Sequence, residues 1–138
     1  MSIRPTQRDE LVRLALGVRE RAYAPYSRYP VGAALLAASG KIYEGVNVEN
    51  AAYPTSRCAE RAAMFKAVSE GERSFQAIAV ATENGGSPCG ACRQVLAEFG
   101  TGIWVIIANG KGEVIQELPL SQLLPAAFGP GDLEASRT

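Results

Sequence analysis

Apolar and polar positions along this chain follow two different periods, and the first clear period is that of a helix. Between residues 11 and 22 the apolar positions follow the i, i+3, i+4, i+7 and i+11 spacing of one helix face; they are Leu11, Leu14, Ala15, Val18 and Ala22. Thr6 is the expected N-cap, because Asp9 follows three residues later in a capping-box arrangement. The prolines of "APYSRYP" predict that the helix ends at about Tyr23.

Five short apolar runs predict β-strands. The first, "VGAALLAA", is typical of a fully buried strand, and the second, "KIYEGVNV", fits a strand through Ile42, Val46 and Val48. The other three are "FQAIAVAT", "IWVIIA" and "EVIQEL". Only "NGKG" or so separates the last two, which is too short for a crossover, so these strands should form an antiparallel hairpin.

Helical segments are expected between and after the strands. One should run from about 56 to 69, ending before Gly71, and another from 88 to about 99. Pro119 is expected to begin a last short helix containing Leu123 and Leu124. Residues 129–138, "GPGDLEASRT", are typical of a frayed C-terminal tail.

The resulting order is α-β-β-α-β-α-β-β-α. Strand–helix–strand segments predict parallel neighbours in the middle of the sheet, next to the antiparallel hairpin. We therefore expect an α/β fold, a three-layer α-β-α sandwich around a mixed five-stranded sheet. The length of 138 residues fits a single domain spanning 1–138.

Composition and charge exclude several classes of partner. Fourteen basic and fourteen acidic residues balance, and no run of Lys or Arg suggests a nucleic-acid surface. The longest apolar runs are too short to span a membrane. The start "MSIRPTQRDE" has no apolar region typical of a secretory signal, so a cytoplasmic, reducing location is expected.

The candidate chemistry lies in three cysteines, Cys58, Cys89 and Cys92, in a chain without histidine. Ser87 is a good N-cap before Pro88, which puts Cys89 and Cys92 in the opening turns of a helix. Similarly, Thr55 or Ser56 could cap the preceding helix and put Cys58 in its first turn. Helix N-termini favour thiolates, and thiolates bind zinc.

Three protein ligands and one open position are the arrangement of a catalytic zinc site, with water as the fourth ligand. The expected cofactor is therefore one Zn²⁺ per chain. Glu60 follows Cys58 by two residues and, at a helix N-terminus, could face the metal without binding it. A carboxylate in that position could accept a proton from the water.

Other interpretations of the same residues remain open at this point. Cys89 and Cys92 alone could form a thioredoxin-like redox pair, which would leave Cys58 and Glu60 without a role. A structural zinc site would need a fourth ligand, which Glu60 could supply. Taken singly, each cysteine could be a small core residue.

Cys-Ala-Glu followed by Pro-Cys-x-x-Cys resembles the signature of zinc-dependent deaminases. The similarity extends to "AYAPYSRYPVGAALL", "GVNVENAAYPTSRCAERAAMFKAVSEG", "SPCGACRQVLAEF" and "LLPAAF", from about residue 9 to 133. The chain thus resembles the short-chain, homotetrameric cytidine deaminases. The resemblance implies hydrolytic deamination of cytidine and deoxycytidine in pyrimidine salvage, with Glu60 transferring the protons. A blasticidin-S deaminase, with the same metal motif, is the nearest alternative.

The resemblance also implies roles for residues outside the metal motif. Asn47 and Glu49 match residues that bind the ribose hydroxyls, and Tyr29 matches an aromatic residue, often phenylalanine, that packs on the base. Tyr53 and Phe128 match residues at subunit boundaries, which implies a homotetramer with shared pockets. Arg61 matches the position that donates to a cysteine sulfur and withdraws negative charge from the zinc site.

Overall fold

The structure, a computed structural model, describes residues 3–135, and over this range it contains four α-helices and five β-strands. In chain order these elements are α1 (Pro5–Val18), β1 (Gly32–Ala37), β2 (Ile42–Val46), α2 (Ala59–Ser69), β3 (Phe75–Ala81), α3 (Gly90–Ala97), β4 (Trp104–Ala108), β5 (Val114–Pro119) and α4 (Pro130–Ala135).

The five strands form one sheet in the order β2-β1-β3-β4-β5. β4 and β5 are an antiparallel hairpin, as the short link between them predicts. β3 and β4 are parallel, but β1 is antiparallel to both of its neighbours. The prediction of parallel neighbours is thus right only for β3 and β4. The chain passes from β2 through α2 to β3, but β2 and β3 are not neighbours because β1 lies between them.

Helices cover both faces of the sheet, which confirms the three-layer architecture. On one face, α1 packs its buried Leu11 and Ala15 against the sheet beside Ile106. On the other face, Met64 of α2 and Leu96 of α3 belong to a larger apolar cluster. The burial of β1, β3 and β4 on both faces explains why their sequences are nearly continuous apolar runs.

Close contact between β2 and α2 fixes the position of the helix whose N-terminus carries the candidate chemistry. A Cβ atom at Gly45 would lie 2.5 Å from the carbonyl oxygen of Ala59 and 2.5 Å from the amide nitrogen of Ala63. Only glycine allows this approach of strand to helix. A larger residue at position 45 would push the first turn of α2 away from the sheet.

The first helix begins earlier and ends earlier than the sequence predicts. Arg4, not Thr6, is the N-cap, and Pro5 occupies the first helical position. The Gln7 side chain accepts a hydrogen bond from the Arg4 amide at 3.1 Å, so Asp9 has no part in the cap. After Val18 the chain tightens into a 3-10 turn at Arg19–Arg21.

The C-terminal prediction is also corrected. The short helix predicted after Pro119 is only a 3-10 turn at Leu120–Gln122. The segment predicted to be a frayed tail contains the helix α4. The Gly129 amide donates to the Asp132 side chain at 2.8 Å, and this hydrogen bond stabilises the start of α4. Residues 136–138 of the predicted tail lie outside the described residues. Within 3–135, no helix combines the length and the apolar character needed to cross a membrane.

Candidate metal centre and active site

Two of the three cysteines are themselves the N-caps of helices. Cys58 is the N-cap of α2 and Cys89 is the N-cap of α3, both with extended backbone, and Cys92 lies in the first turn of α3. The sequence analysis predicts serine or threonine caps, which would place the cysteines two or three residues further into the helices. As N-caps, Cys58 and Cys89 project beyond the helix end, where unpaired amides favour negative charge.

The predicted cap residues have other partners. Ser56 accepts a hydrogen bond from the Asn50 amide at 3.0 Å, and Thr55 donates to the Ala52 carbonyl at 2.8 Å. Ser87 accepts from Arg93 Nη2 at 2.9 Å. These three hydroxyls therefore stabilise the loops that precede the cysteines, and they do not cap the two helices.

The three cysteine sulfurs converge on one point. The Sγ atoms of Cys58, Cys89 and Cys92 all lie within 4.8 Å of one another. The distance from Cys58 to Cys89 is 3.9 Å, and that from Cys89 to Cys92 is 3.3 Å. Tetrahedral Zn–S bonds of about 2.3 Å require sulfurs roughly 3.8 Å apart. The sulfur cluster therefore fits a single zinc ion, and its spacing comes from two helix ends.

Within this thiol cluster Cys58 and Cys92 differ in ionisation. The hydrogen bond from the Cys92 thiol, followed by that from Arg61, lowers the pKa of Cys58 to about 5. The same bond to Cys58, together with burial, raises the pKa of Cys92. A thiolate thus forms readily at Cys58, whereas the buried Cys92 thiol retains its proton. A divalent cation replaces such protons when it binds thiolates.

Glu60 lies beside the sulfur cluster but outside the group of possible metal ligands among the described residues. Its side chain is only 4% exposed although it occupies the first turn of α2. Burial is the main cause that raises the pKa of Glu60 to about 7, and the nearby Cys58 thiolate adds to it. The carboxyl group therefore can hold or release a proton next to the cluster at neutral pH.

Arg61 provides a positive charge to the cluster. Its Nη2 atom donates to the Cys58 sulfur at 3.4 Å, and the bond raises the pKa of the guanidinium. Three thiolates and one Zn²⁺ carry one net negative charge, so a donor on sulfur withdraws charge from the metal. The Arg61 Nε atom is buried and has no hydrogen-bond partner within residues 3–135.

Arg93 is a supporting residue that the sequence analysis missed. Its guanidinium donates to the Pro88 carbonyl at 2.8 Å, to the Leu123 carbonyl at 2.7 Å and to the Ser87 hydroxyl. It therefore joins the loop before Cys89 to the turn after β5. Only its position one residue after Cys92 could have indicated this role, and that signal is weak.

A cavity of about 800 Å³ opens in front of the sulfur cluster. Its lining brings together most of the residues predicted for the site, namely Tyr29, Asn47, Glu49, Tyr53, Cys58, Glu60, Arg61 and Cys89. Cys92 is buried behind it. Phe128 is not part of the lining; it is 59% exposed elsewhere, and its carbonyl accepts from Gln94 at 2.8 Å.

Asn47 is buried and uses its side chain to hold neighbouring backbone. Its Oδ1 atom accepts from the Val31 amide at 2.9 Å, and its Nδ2 atom donates to the Tyr29 carbonyl at 2.9 Å. An amide group has two donor hydrogens and two acceptor lone pairs, so one of each is left for a ligand. Asn47 thus positions the chain that carries Tyr29 into the cavity.

Glu49 holds the preceding turn in the same way. Its carboxylate accepts from the amides of Tyr26 at 2.9 Å and Ser27 at 3.0 Å, and from the Ser27 hydroxyl. The side-chain and backbone bonds from Ser27 lower the pKa of Glu49. The carboxylate is therefore charged at neutral pH and retains acceptor capacity towards the cavity.

Comparison with known proteins gives a consistent result. The sequence matches the family described as cytidine and deoxycytidylate deaminase zinc-binding region over residues 5–108. A cytidine deaminase of Sporosarcina psychrophila is 54% identical over 128 residues, which cover 91% of this chain and 93% of that protein. One from Halalkalibacterium halodurans is 50% identical, covering 91% and 97% of the two chains. The crystal structure of a cytidine deaminase from Burkholderia pseudomallei superimposes with a TM-score of 0.82 at 47% identity, over 86% of this chain and 97% of that one.

Proposed function

The chain belongs to the cytidine deaminase family, a family of zinc-dependent hydrolases that deaminate cytidine, and from this premise we propose how its cavity performs the reaction. The substrates are free cytidine and deoxycytidine. Water and the nucleoside yield uridine or deoxyuridine and ammonia, a step of pyrimidine salvage. The observation that carries the proposal is the position of the buried Glu60 beside three converging thiols at one end of a cavity.

Cys58, Cys89 and Cys92 would hold the zinc ion, which would supply Lewis-acid activation of a water molecule for attack on C4 of the base. Glu60 takes a proton from that water and delivers it to N3 of the ring. The hydroxyl that this attack adds to C4 gives its remaining proton to Glu60, which passes it to the departing amine, so that the C4 carbonyl forms as ammonia leaves. Its burial keeps the carboxyl group close to the thiols and away from bulk water. Arg61 limits the negative charge on Cys58 throughout.

The opposite end of the cavity binds the nucleoside. Tyr29 packs on the base, and the unused donor and acceptor of Asn47 meet the ribose together with the Glu49 carboxylate. Because Glu49 is ionised, a phosphate near the ribose would be repelled. The pocket should therefore prefer nucleosides to nucleotides.

We also propose that the active form is a homotetramer with shared pockets. Tyr53 is 77% exposed on the cavity rim, and Phe128 is 59% exposed outside it. Aromatic side chains are enriched at the centres of interfaces between protein chains. In a tetramer, Tyr53 would lie at the boundary, and Phe128 would complete the pocket of a neighbouring subunit.

The same interpretation sets the remaining expectations. Residues 1–138 act as one deaminase domain, with 129–138 at its C-terminal edge. Three zinc-binding thiols suit a reducing, cytoplasmic location. Nucleic acid and membranes are not expected partners, because acidic and basic residues balance and no basic run is present.

An ultraviolet assay of competing substrates tests the proposal. Cytidine and deoxycytidine should be deaminated well before cytidine monophosphate, and single-stranded DNA or RNA should not react. Blasticidin S turned over faster than cytidine would assign the chain to the related antibiotic deaminases. Efficient deamination of an oligonucleotide would contradict the role of Glu49 and the closed pocket.

A further inference from the structure

The segment that carries Tyr29 into the cavity is fixed along its backbone. Asn47 donates to the Tyr29 carbonyl at 2.9 Å, and Arg19 Nε donates to the next carbonyl, that of Pro30, at 3.1 Å. These contacts position the Cα atoms and leave the ring free to rotate about its side-chain bonds. The outer end of the ring is held by a different part of the chain.

That second contact is between the Tyr29 hydroxyl and Asn84. The hydroxyl donates to Asn84 Oδ1 at 2.6 Å, across 55 residues of sequence. A phenylalanine at position 29 could not make this bond. Asn84 therefore interacts with the very group that distinguishes Tyr29 from the phenylalanine expected by resemblance.

Asn84 belongs to a loop with several supports of its own. Thr82 Oγ1 accepts from the Gly86 amide at 2.7 Å. Glu83 pairs with Arg19 at 3.1 Å, and its carbonyl accepts from the Gly110 amide at 3.2 Å. The loop is thus a firm anchor, and three residues after Gly86 it reaches the metal ligand Cys89.

Gly86 provides the space that the hydroxyl occupies. A Cβ atom at Gly86 would lie 2.6 Å from the Tyr29 hydroxyl oxygen, closer than real contacts allow, whereas the nearest ring atom would be 3.7 Å away. Without the hydroxyl, an alanine at position 86 would make only ordinary contacts. Gly86 and Tyr29 are therefore matched to each other.

We propose that Asn84 is a positioning residue for nucleoside binding, which fixes the Tyr29 ring through its hydroxyl, and that Gly86 is required only because this hydroxyl is present. The inference rests on the proposed function, because it assumes that Tyr29 packs on the base. Asn84 is exposed, so its bond contributes little to the stability of the fold. Its effect should appear in substrate binding.

Steady-state kinetics of zinc-loaded Asn84→Ala, Tyr29→Phe and the double variant test the first part. Loss of one hydrogen bond should raise KM for cytidine about threefold to tenfold in Asn84→Ala, with kcat changed less than about twofold. Asn84→Ala should have no further effect on KM in the Tyr29→Phe background. An equal effect in both backgrounds would overturn the proposal.

Gly86→Ala tests the second part in the same two backgrounds. It should raise KM at least about tenfold beside Tyr29 and lower the thermal midpoint, and Tyr29→Phe should reverse both effects. Equal damage in both backgrounds would contradict the matched fit. Because the thermal midpoint is measured without substrate, it tests this rescue independently of deaminase activity.

Tyr43→Phe is the matched control, because it removes a tyrosine hydroxyl that donates to Glu72 at 2.9 Å outside the cavity. Its KM should equal that of the wild type. A raised KM in this control would show that loss of any such hydroxyl disturbs binding and would overturn the proposal. A wild-type protein inactive on cytidine would instead refute the proposed function, while the thermal rescue still tests the fit of Gly86 and Tyr29.

Discussion

The two ends of the cavity are built in opposite ways. At the metal end, the hydrogen bonds of the cysteine sulfurs within residues 3–135 come from one another and from Arg61. At the opposite end, which we propose binds the sugar and call the sugar end, Asn47 and Glu49 are already bonded to the backbone of residues 26–31. The metal end therefore depends on an ion for its full set of bonds, whereas the sugar end is complete before substrate arrives. Substitutions at the metal end should therefore reduce zinc binding, whereas those at the sugar end should reduce stability and leave zinc binding intact.

The largest effect is expected at the metal end. Cys89→Ser replaces a thiolate ligand with a hydroxyl that stays protonated, so zinc affinity should fall by orders of magnitude and deamination should be abolished. The thermal midpoint should drop towards that of chelator-treated wild type. Elemental analysis, the cytidine assay and a thermal unfolding curve on the same sample measure these three outcomes.

Ser69→Ala serves as a control for the Cys89 variant, because its hydroxyl bonds the Phe65 carbonyl at 2.7 Å at the far end of α2. It should keep zinc and activity. Full deaminase activity in zinc-free Cys89→Ser protein would contradict the claim that deamination depends on a zinc ion bound by the cysteines.

A smaller, structural effect is expected at the sugar end. Asn47→Ala leaves the Val31 amide and the Tyr29 carbonyl without their partner, which should reduce the free energy of unfolding by about 2–4 kcal/mol. KM should rise as well, while the zinc content stays at one per chain. Urea unfolding, cytidine kinetics and elemental analysis measure these three results.

Asn109→Ala is the matched control for Asn47→Ala. The Asn109 side chain also accepts hydrogen bonds from backbone amides, those of Lys111 and Glu113, but it does so in the exposed β4–β5 turn. It should cost less stability and leave KM unchanged. If Asn47→Ala lost zinc while keeping its stability, the contrast between the two ends would be wrong.

The smallest effect concerns pH. Hydrogen bonds from Ser27 hold the pKa of Glu49 below its ordinary value, so the folded state favours the carboxylate. The resulting stability is fully present above the unfolded glutamate pKa of about 4.3 and is lost as pH falls through the lower folded value. Ser27→Ala should therefore be less stable than the wild type above about pH 5. That difference should shrink in more acidic solution.

Urea unfolding between about pH 2.5 and 6 measures the difference between Ser27→Ala and the wild type. Ser69→Ala, whose hydroxyl bonds a carbonyl and no carboxylate, should show a difference that does not change with pH. A pH-independent difference for Ser27→Ala would mean that its hydroxyl does not stabilise the Glu49 carboxylate.

The sheet, the layers and the sulfur cluster could be predicted from sequence because their signals are local. Apolar runs mark the buried strands, and the Cys58, Cys89 and Cys92 spacing is tied to helix starts. The exact caps could not be predicted in this way, because cysteine is not a usual N-cap residue. The starts of α1 and α4 did carry a signal, a proline at the first helical position in each.

The sugar end could not be predicted from local pattern. Asn47 and Glu49 match by resemblance, but their partners Val31 and Ser27 lie 16 and 22 residues away. The bond between Tyr29 and Asn84 spans 55 residues. Such pairs depend on how the strands and loops meet in three dimensions. A carboxylate that holds a turn therefore looks, in sequence, like any surface charge.

The central claim is that three cysteines hold the zinc and that Glu60 beside them moves the protons. Zinc content and kcat of Glu60→Gln, measured together with the wild type, test it most directly. Both proteins should contain one zinc per chain, and kcat for cytidine should fall at least about 10²–10⁴-fold in the variant. Loss of zinc from Glu60→Gln would make Glu60 a ligand of a structural site, and retained turnover would contradict its role in proton transfer.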